Sequence, residues 1–548
     1  MTPSELAGQS MMFRLPGSGF TDEARDAFRQ IRPSGVLFFA DNITSREQAH
    51  ALTTDLQAEA RKLGMPPLLI AADQEGGIVS RFSQDFVTVP SAMALAASCV
   101  PGDILTATTI TALQLREVGI NVNFAPSVDV NVNPANPVIR TRSYSDVAEK
   151  VIAAMEWVYR GHEAARVVTT VKHFPGHGDT SVDSHFGLPT IQHDRERIDG
   201  VELAPFRAAV AMGVPAVMSA HILFPALDPE YPATLSHRIL TGLLRDELGF
   251  TGLIFTDAMD MRALADQYGI AEASVRAKLA GVDVLETNEP VADQNVRHAA
   301  LVKALESGRV PREAFETTSE RLNEVRARYG ITGVPTQLPE RRGSLGDITF
   351  DIALRTIAHV GPKPFAPLEP NARLKQFDPP EGASGNVFID FQRFRAVEGG
   401  DPVGRSKLLQ DDVKANLPES TVVSLSNEPT DDQIAEATSR AANARTLIIL
   451  TRDATDSPHQ VDIARRAIGA APDAARIIHC CMRGPYDAGL LGDVDDYLFT
   501  FGDPKWSIVA LVATLVGLRQ PTAQMPVAVP TMQQLEAAAW RKHFARRK

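Results

Sequence analysis

Eight short apolar runs, each ending in polar residues and most followed by a helical pattern, constrain this chain more than any other feature. They are SMMFRL (10–15), GVLFFA (35–40), LLIAAD (68–73), VNFAPS (122–127), VVTTVKH (167–173), AVMSAH (216–221), GLIFTD (252–257) and VDVLET (282–287). Runs of this length, rich in β-branched and aromatic residues, read as strands. Segments such as DEARDAFRQI and SREQAHALTTDLQAEARKLG lie between them, and glycines near several helix ends supply the usual C-terminal stop. Eight βα units in about 330 residues predict a (β/α)8 barrel of the TIM type.

Nearly every run ends in unusual chemistry: Asp41 and Asn42, Asp73 to Glu75, Asp129, Lys172 and His173, His221, Asp257, then Glu286 to Asn288. A barrel gathers its active site at the C-terminal ends of its strands. Polar loop residues placed only for solubility would not recur at that position. The pattern therefore points to an enzyme.

The segment ITGVPTQLPERRGSLG (331–346) lacks periodicity and reads as a linker. Residues 1–335 are thus expected to form the barrel and 336–548 a C-terminal α/β three-layer sandwich. Strands are expected near 387–390, 421–426, 445–450, 476–482 and 497–501, with helices DDQIAEATSRAANA, QVDIARRAIG and WSIVALVATLVG between the later ones. FDIALRTI reads as a helix, and the proline-rich 361–384 as a long surface loop. A formal charge of −12 argues against a nucleic-acid partner. No apolar stretch reaches membrane-spanning length, and MTPSELAGQSMMFRLPG lacks the pattern of a signal peptide. Cys480 and Cys481 lie in an apolar run and read as buried thiols. Together these features predict a cytoplasmic protein with no membrane partner.

The densest polar cluster is KHFPGHGDTSVDSHFGLP (172–189). Three readings fit it. His173, His177, Asp179, Asp183 and His185 would make a metal set, although no recognised ligand spacing is present. The loop is otherwise purely structural, with His177 and Asp179 bracing a turn. In the third reading Asp183 and His185, two residues apart, face the same side of an extended segment. The carboxylate then fixes the imidazole tautomer and raises its basicity, which suits a general acid and base. The seventh run is apolar up to Asp257, whose carboxylate enters the barrel mouth as a candidate nucleophile toward an anomeric carbon. Asp260 lies past the strand and suits a helix N-terminus better.

KHFPGHGDTSVDSH, with DQEGG (73–77), RSY (142–144), MSAH (218–221) and FTDAMDM (255–261), resembles the N-acetylglucosaminidase branch of glycoside hydrolase family 3. The resemblance spans residues 1–335 and implies a retaining β-N-acetylglucosaminidase that acts on cell-wall muropeptide or chitooligosaccharide fragments without a metal or other cofactor. It implies Asp257 as nucleophile, His185 with Asp183 as acid/base, and Asp73, Arg81, Arg142, Lys172, His173 and His221 as substrate-binding residues. A phosphorylase using the same pair, with phosphate as co-substrate, and a metal-dependent barrel hydrolase are the alternatives. MRGPYD (482–487) and LRQPTAQMPVAVP resemble the second domain of two-domain members, where His459 and Arg483 fall at strand ends. One departure is Arg140 in VIRTRSY, an added cation that either binds an anionic group or faces solvent.

Overall fold

The computed structural model describes residues 1–82, 85–182, 187–334, 337–339, 344–368, 384–393, 402–492 and 494–529. Side-chain caps start several of its helices. Thr2 and Glu5 form a reciprocal capping box at Pro3–Gln9, and the Thr21 and Ser45 hydroxyls accept from backbone N–H groups at Asp22–Ile31 and Arg46–Lys62.

The first seven apolar runs form parallel strands β1 (Met12–Arg14), β2 (Gly35–Phe38), β3 (Leu69–Ala72), β6 (Val122–Asn123), β7 (Val168–Phe174), β8 (Ala216–Ser219) and β9 (Leu253–Thr256), hydrogen-bonded in that order. A small antiparallel hairpin, β4 (Gln74–Gly76) and β5 (Val79–Ser80), follows β3. The eighth run is reduced to two parallel bridges. Val284 pairs with Phe255 of β9 and Leu285 with Met11 beside β1, which closes the ring.

Side-chain alternation sorts the strand residues into two sets. Leu37, Leu69, Ala71, Val122, Val168, Met218, Phe255 and Val284 fill the interior of the ring. Val36, Ile70, Val171, Val217, Ile254 and Leu285 face outward, against the surrounding helices. The helix Arg312–Tyr329 closes the N-terminal end, where Arg326 donates to the carbonyls of Pro67 and Ser34. The opposite, C-terminal mouth holds the polar strand ends.

The second sheet is β10 (Ala358–Val360), β11 (Ser384–Phe391), β12 (Thr421–Leu425), β13 (Ala444–Thr451), β14 (Arg476–Cys481) and β15 (Asp496–Phe499). Its order is β10-β15-β14-β13-β11-β12, parallel except for the edge strand β10. The five expected strands are all present, and β10 is an addition. FDIALRTI ends a helix, Leu345–Arg355, and the chain extends again at once. Most of the expected loop at 361–384 lies outside the described residues. Cys480 and Cys481 are buried free thiols. No described helix is long and apolar enough to cross a membrane.

The two sheets meet through buried polar contacts. Ser91 Oγ donates to the Phe501 carbonyl at 2.5 Å, and Asn131 Nδ2 to the Tyr486 hydroxyl at 2.6 Å. Ser145 Oγ reaches the Pro526 carbonyl at 2.6 Å, and Arg355 pairs with Asp103 at 2.7 Å.

Candidate active site

Each interior strand position continues upward into the mouth by the same two-residue alternation. Ala71 leads to Asp73, Val168 to Lys172, Phe255 to Asp257 and Val284 to Glu286. Their side chains therefore converge above the apolar interior.

Lys172 organises this layer. Its Nζ lies 2.7 Å from Asp73 and 2.7 Å from Glu75. Arg142 grips Glu75 in bidentate fashion, at 2.9 and 2.8 Å. Burial alone would raise the Glu75 pKa, but the charges of Arg142 and Lys172 hold it far below the usual carboxylate range. Burial likewise works against the Lys172 ammonium, and Asp73 and Glu75 more than offset it. Arg81 completes the row, 3.5 Å from Asp73 with its guanidinium over the Phe39 ring.

His173 is fixed from both sides. Its Nδ1 is 2.7 Å from Asp129 Oδ2, and its Nε2 is 3.2 Å from Arg142 Nη2. Asp129 also accepts from the backbone N–H of His177 at 2.6 Å. The His177 ring turns away to Thr180, and burial lowers its pKa to about 4. Asp179 pairs with His193 at 2.6 Å and lies near Arg197, which also holds Glu202. His173, His177 and Asp179, three members of the alternative metal set, thus go to three different partners. Asp183 and His185 lie outside the described residues.

Asp257 follows β9 directly. Its Oδ1 accepts from the Ala258 N–H at 2.8 Å, and its own N–H donates to the Ser219 carbonyl. His221 sits beneath the same turn, with Nδ1 2.8 Å from Thr234 Oγ1 and Nε2 2.9 Å from the Ala258 carbonyl. Expected among the sugar ligands, it has both ring nitrogens on protein atoms and braces the backbone next to Asp257. Asp260 precedes the helix Arg262–Ala280, whose N-cap Met261 makes no side-chain cap bond, and burial raises its pKa.

Arg140 neither faces solvent nor offers itself to a ligand. It is buried between the two sheets, pairing with Asp453 at 3.0 Å and Asp456 at 2.7 Å. Arg483 is also buried, near Asp453 and Asp503, in a charge cluster with Arg452. His459 is half-buried on the helix Pro458–Ala470, with Ser457 as its neighbour. Glu75, Asp129 and Glu286 were legible only as polar strand ends, and the structure moves all three into the mouth.

A parallel barrel with paired charges and a strand-end carboxylate at its C-terminal mouth, backed by an open α/β sheet, defines a two-domain barrel hydrolase. Residues 8–325 match the glycosyl hydrolase family 3 N terminal domain, and the chain belongs to that family. It is 36% identical over 423 residues to β-hexosaminidase A of Pseudoalteromonas piscicida, covering 68% of this chain and 70% of that one. A β-hexosaminidase of Alkalilimnicola ehrlichii is 36% identical over 291 residues, which cover 52% of this chain and 81% of the relative. The solved structure of a glycoside hydrolase family 3 β-N-acetylglucosaminidase from Paenibacillus sp. str. FPU-7 superposes with a TM-score of 0.88 at 31% identity, over 97% of this chain and 100% of that one.

Proposed function

We propose that this protein is a retaining β-N-acetylglucosaminidase that releases N-acetylglucosamine from β-linked glycosides such as cell-wall muropeptide or chitooligosaccharide fragments. The observation that carries the reading is Asp257, a carboxylate anchored by the Ala258 N–H just past the end of β9, at the same C-terminal mouth as the charge-paired row Asp73, Lys172, Glu75 and Arg142. A pyranose displays a ring of hydroxyls, and neighbouring ionic groups bind such hydroxyls by charge-assisted hydrogen bonds. Relatives named β-hexosaminidase and β-N-acetylglucosaminidase support the choice of sugar.

In the proposed reaction Asp257 attacks the anomeric carbon while His185, oriented by Asp183, protonates the departing oxygen. A covalent glycosyl-enzyme forms, and water activated by the same imidazole releases the sugar with net retention. Water is the acceptor in this reading, and phosphate has no support beyond the general chemistry of the dyad. The free buried pair Cys480 and Cys481 suits a reducing compartment and supports a cytoplasmic location.

The test follows an aryl N-acetyl-β-glucosaminide with and without phosphate. Turnover independent of phosphate and abolished in Asp257→Ala is expected. An undiminished rate in that variant overturns the assignment of the nucleophile.

A further inference from the structure

Glu286 belongs to none of the roles assigned above. Its backbone is fixed beside β9: Val284 bridges Phe255, and the Glu286 N–H donates to Thr256 Oγ1 at 2.9 Å. Phe255 and Val284 both point into the barrel interior. Two residues further along each segment, Asp257 and Glu286 therefore both enter the mouth from neighbouring segments, and the Met259 N–H donates to the Glu286 carbonyl at 3.3 Å. Glu286 is 3% exposed.

The cations of this layer are engaged elsewhere. Lys172 is held by Asp73 and Glu75, Arg142 by Glu75, and Arg81 by Asp73. On the other flank Arg14 of β1 turns to Asp41 and Asn288. Among the described residues no ion pair includes Glu286. The leading charges acting on it are those of Asp73 and Asp257, with Lys172 opposing them and Asp260 adding to them. Carboxylates crowded in this way do not all ionise, and burial beside Asp73 and Asp257 favours the protonated form of Glu286.

We infer that Glu286 is a further substrate-contacting residue, a hydrogen-bond donor to a sugar oxygen in the space between Asp257 and Asp73. Burial, with the repulsion of Asp73 and Asp257, pushes its pKa well above the usual carboxylate range. Chemistry gives the donor a purpose. Ionised Asp73 and Asp257 only accept hydrogen bonds, whereas a sugar hydroxyl both donates and accepts. A neutral acid here completes the pair without adding negative charge beside the nucleophile. The inference rests on the sugar-site reading above.

The experiment compares the wild type with Glu286→Gln and Glu286→Leu in two arms. One follows aryl N-acetyl-β-glucosaminide hydrolysis from acid to alkaline pH, and the other titrates N-acetylglucosamine by calorimetry. Glutamine keeps a neutral donor, so kcat/KM and sugar affinity should stay within about threefold of wild type near neutrality, while leucine loses about tenfold in both. The alkaline limb should move to higher pH in Glu286→Gln, because glutamine does not ionise. A protonated-carboxyl band in the infrared spectrum should disappear in that variant, whether or not it turns over substrate. If glutamine is as damaging as leucine, or the alkaline limb and infrared band are unchanged, the inference is overturned. A wild type that binds the sugar in the expected order but does not hydrolyse the glycoside would leave the donor role standing and overturn the hydrolase reading instead.

Discussion

Arg142 meets Glu75 through two parallel hydrogen bonds, Nε to Oε2 at 2.9 Å and Nη2 to Oε1 at 2.8 Å, and the same Arg142 Nη2 touches His173 Nε2 at 3.2 Å. One guanidinium thus ties the hairpin after β3 to the end of β7. Removing Glu75 leaves Arg142 and Lys172 short of an anion in a buried layer. Glu75→Ala should cost about 3–5 kcal/mol of stability, since breaking a buried pair strands the remaining charges. Chemical denaturation measures this, and a loss under about 1 kcal/mol would refute the lattice role.

The same carboxyl gives the acid limb of stability a definite sign. Arg142 and Lys172 overcome its burial and hold the folded-state pKa well below the ordinary 4.5. Its contribution is therefore complete above about pH 4.5 and drains away as pH falls toward the lowered value. Glu75→Gln should flatten that part of the stability curve. Thermal melts of both proteins through the acid range would show it, and parallel curves would count against the assignment.

How much of this was readable beforehand depends on the range of the contact. Strand ends that obey a two-residue alternation, such as Asp73, Lys172 and Asp257, are local features, and their convergence follows from the barrel alone. Glu75 escaped selection because its partners Arg142 and Lys172 are far from it in sequence, and only the fold brings them to the hairpin β4–β5. The eighth run looked like a full strand, yet only Val284 and Leu285 pair, because the chain leaves the ring to carry Glu286 into the mouth. Strand β10 was hidden because three residues, Ala358–Val360, give too short a pattern to separate from the helix before them. His221 was named as a ligand through the family resemblance, and its contacts with Thr234 and the Ala258 carbonyl, 13 and 37 residues away, were not legible in the sequence.

Asp257→Asn should lower kcat by on the order of 10^4-fold or more, as expected when a nucleophile is lost. Asparagine keeps the size of the side chain and an oxygen that can accept from the Ala258 N–H, so the fold should survive the change. Steady-state kinetics with a melting curve separate the two effects. A residual rate within about tenfold of wild type would require another nucleophile.

His185→Ala should act according to the leaving group. General acid catalysis contributes about 10^2–10^4-fold when the departing oxygen needs a proton, and far less for an activated aryl oxide. Chitobiose cleavage should therefore fall much more than aryl glycoside cleavage in its first step. Equal losses on the two substrates would argue that His185 does something other than donate a proton.

Arg140 links the second sheet to the site without touching substrate. Its guanidinium holds Asp453 and Asp456, while its Nε donates to the Asn136 carbonyl at 2.9 Å. Two residues on, Arg142 enters the active-site lattice. The same stretch is pinned to the second sheet by Asn131 on Tyr486 and Ser145 on Pro526. Arg140→Met removes the cation but keeps much of the bulk, leaving Asp453 and Asp456 facing a buried apolar stem. A cost of about 1.5–3 kcal/mol follows from the lost charged hydrogen bonds, with Arg483 and Arg393 still near the two carboxylates. Because Arg142 is carried on the same turn, KM for the aryl glycoside should also rise several-fold, with kcat changing less. Asp453→Asn in the Arg140→Met background should recover part of the stability, since a buried carboxylate that has lost its nearest cation is neutralised. It should not restore KM, because the tether is still missing. If the single variant melts early but keeps its KM, Arg140 serves the interface alone and Arg142 is held by Glu75 without help.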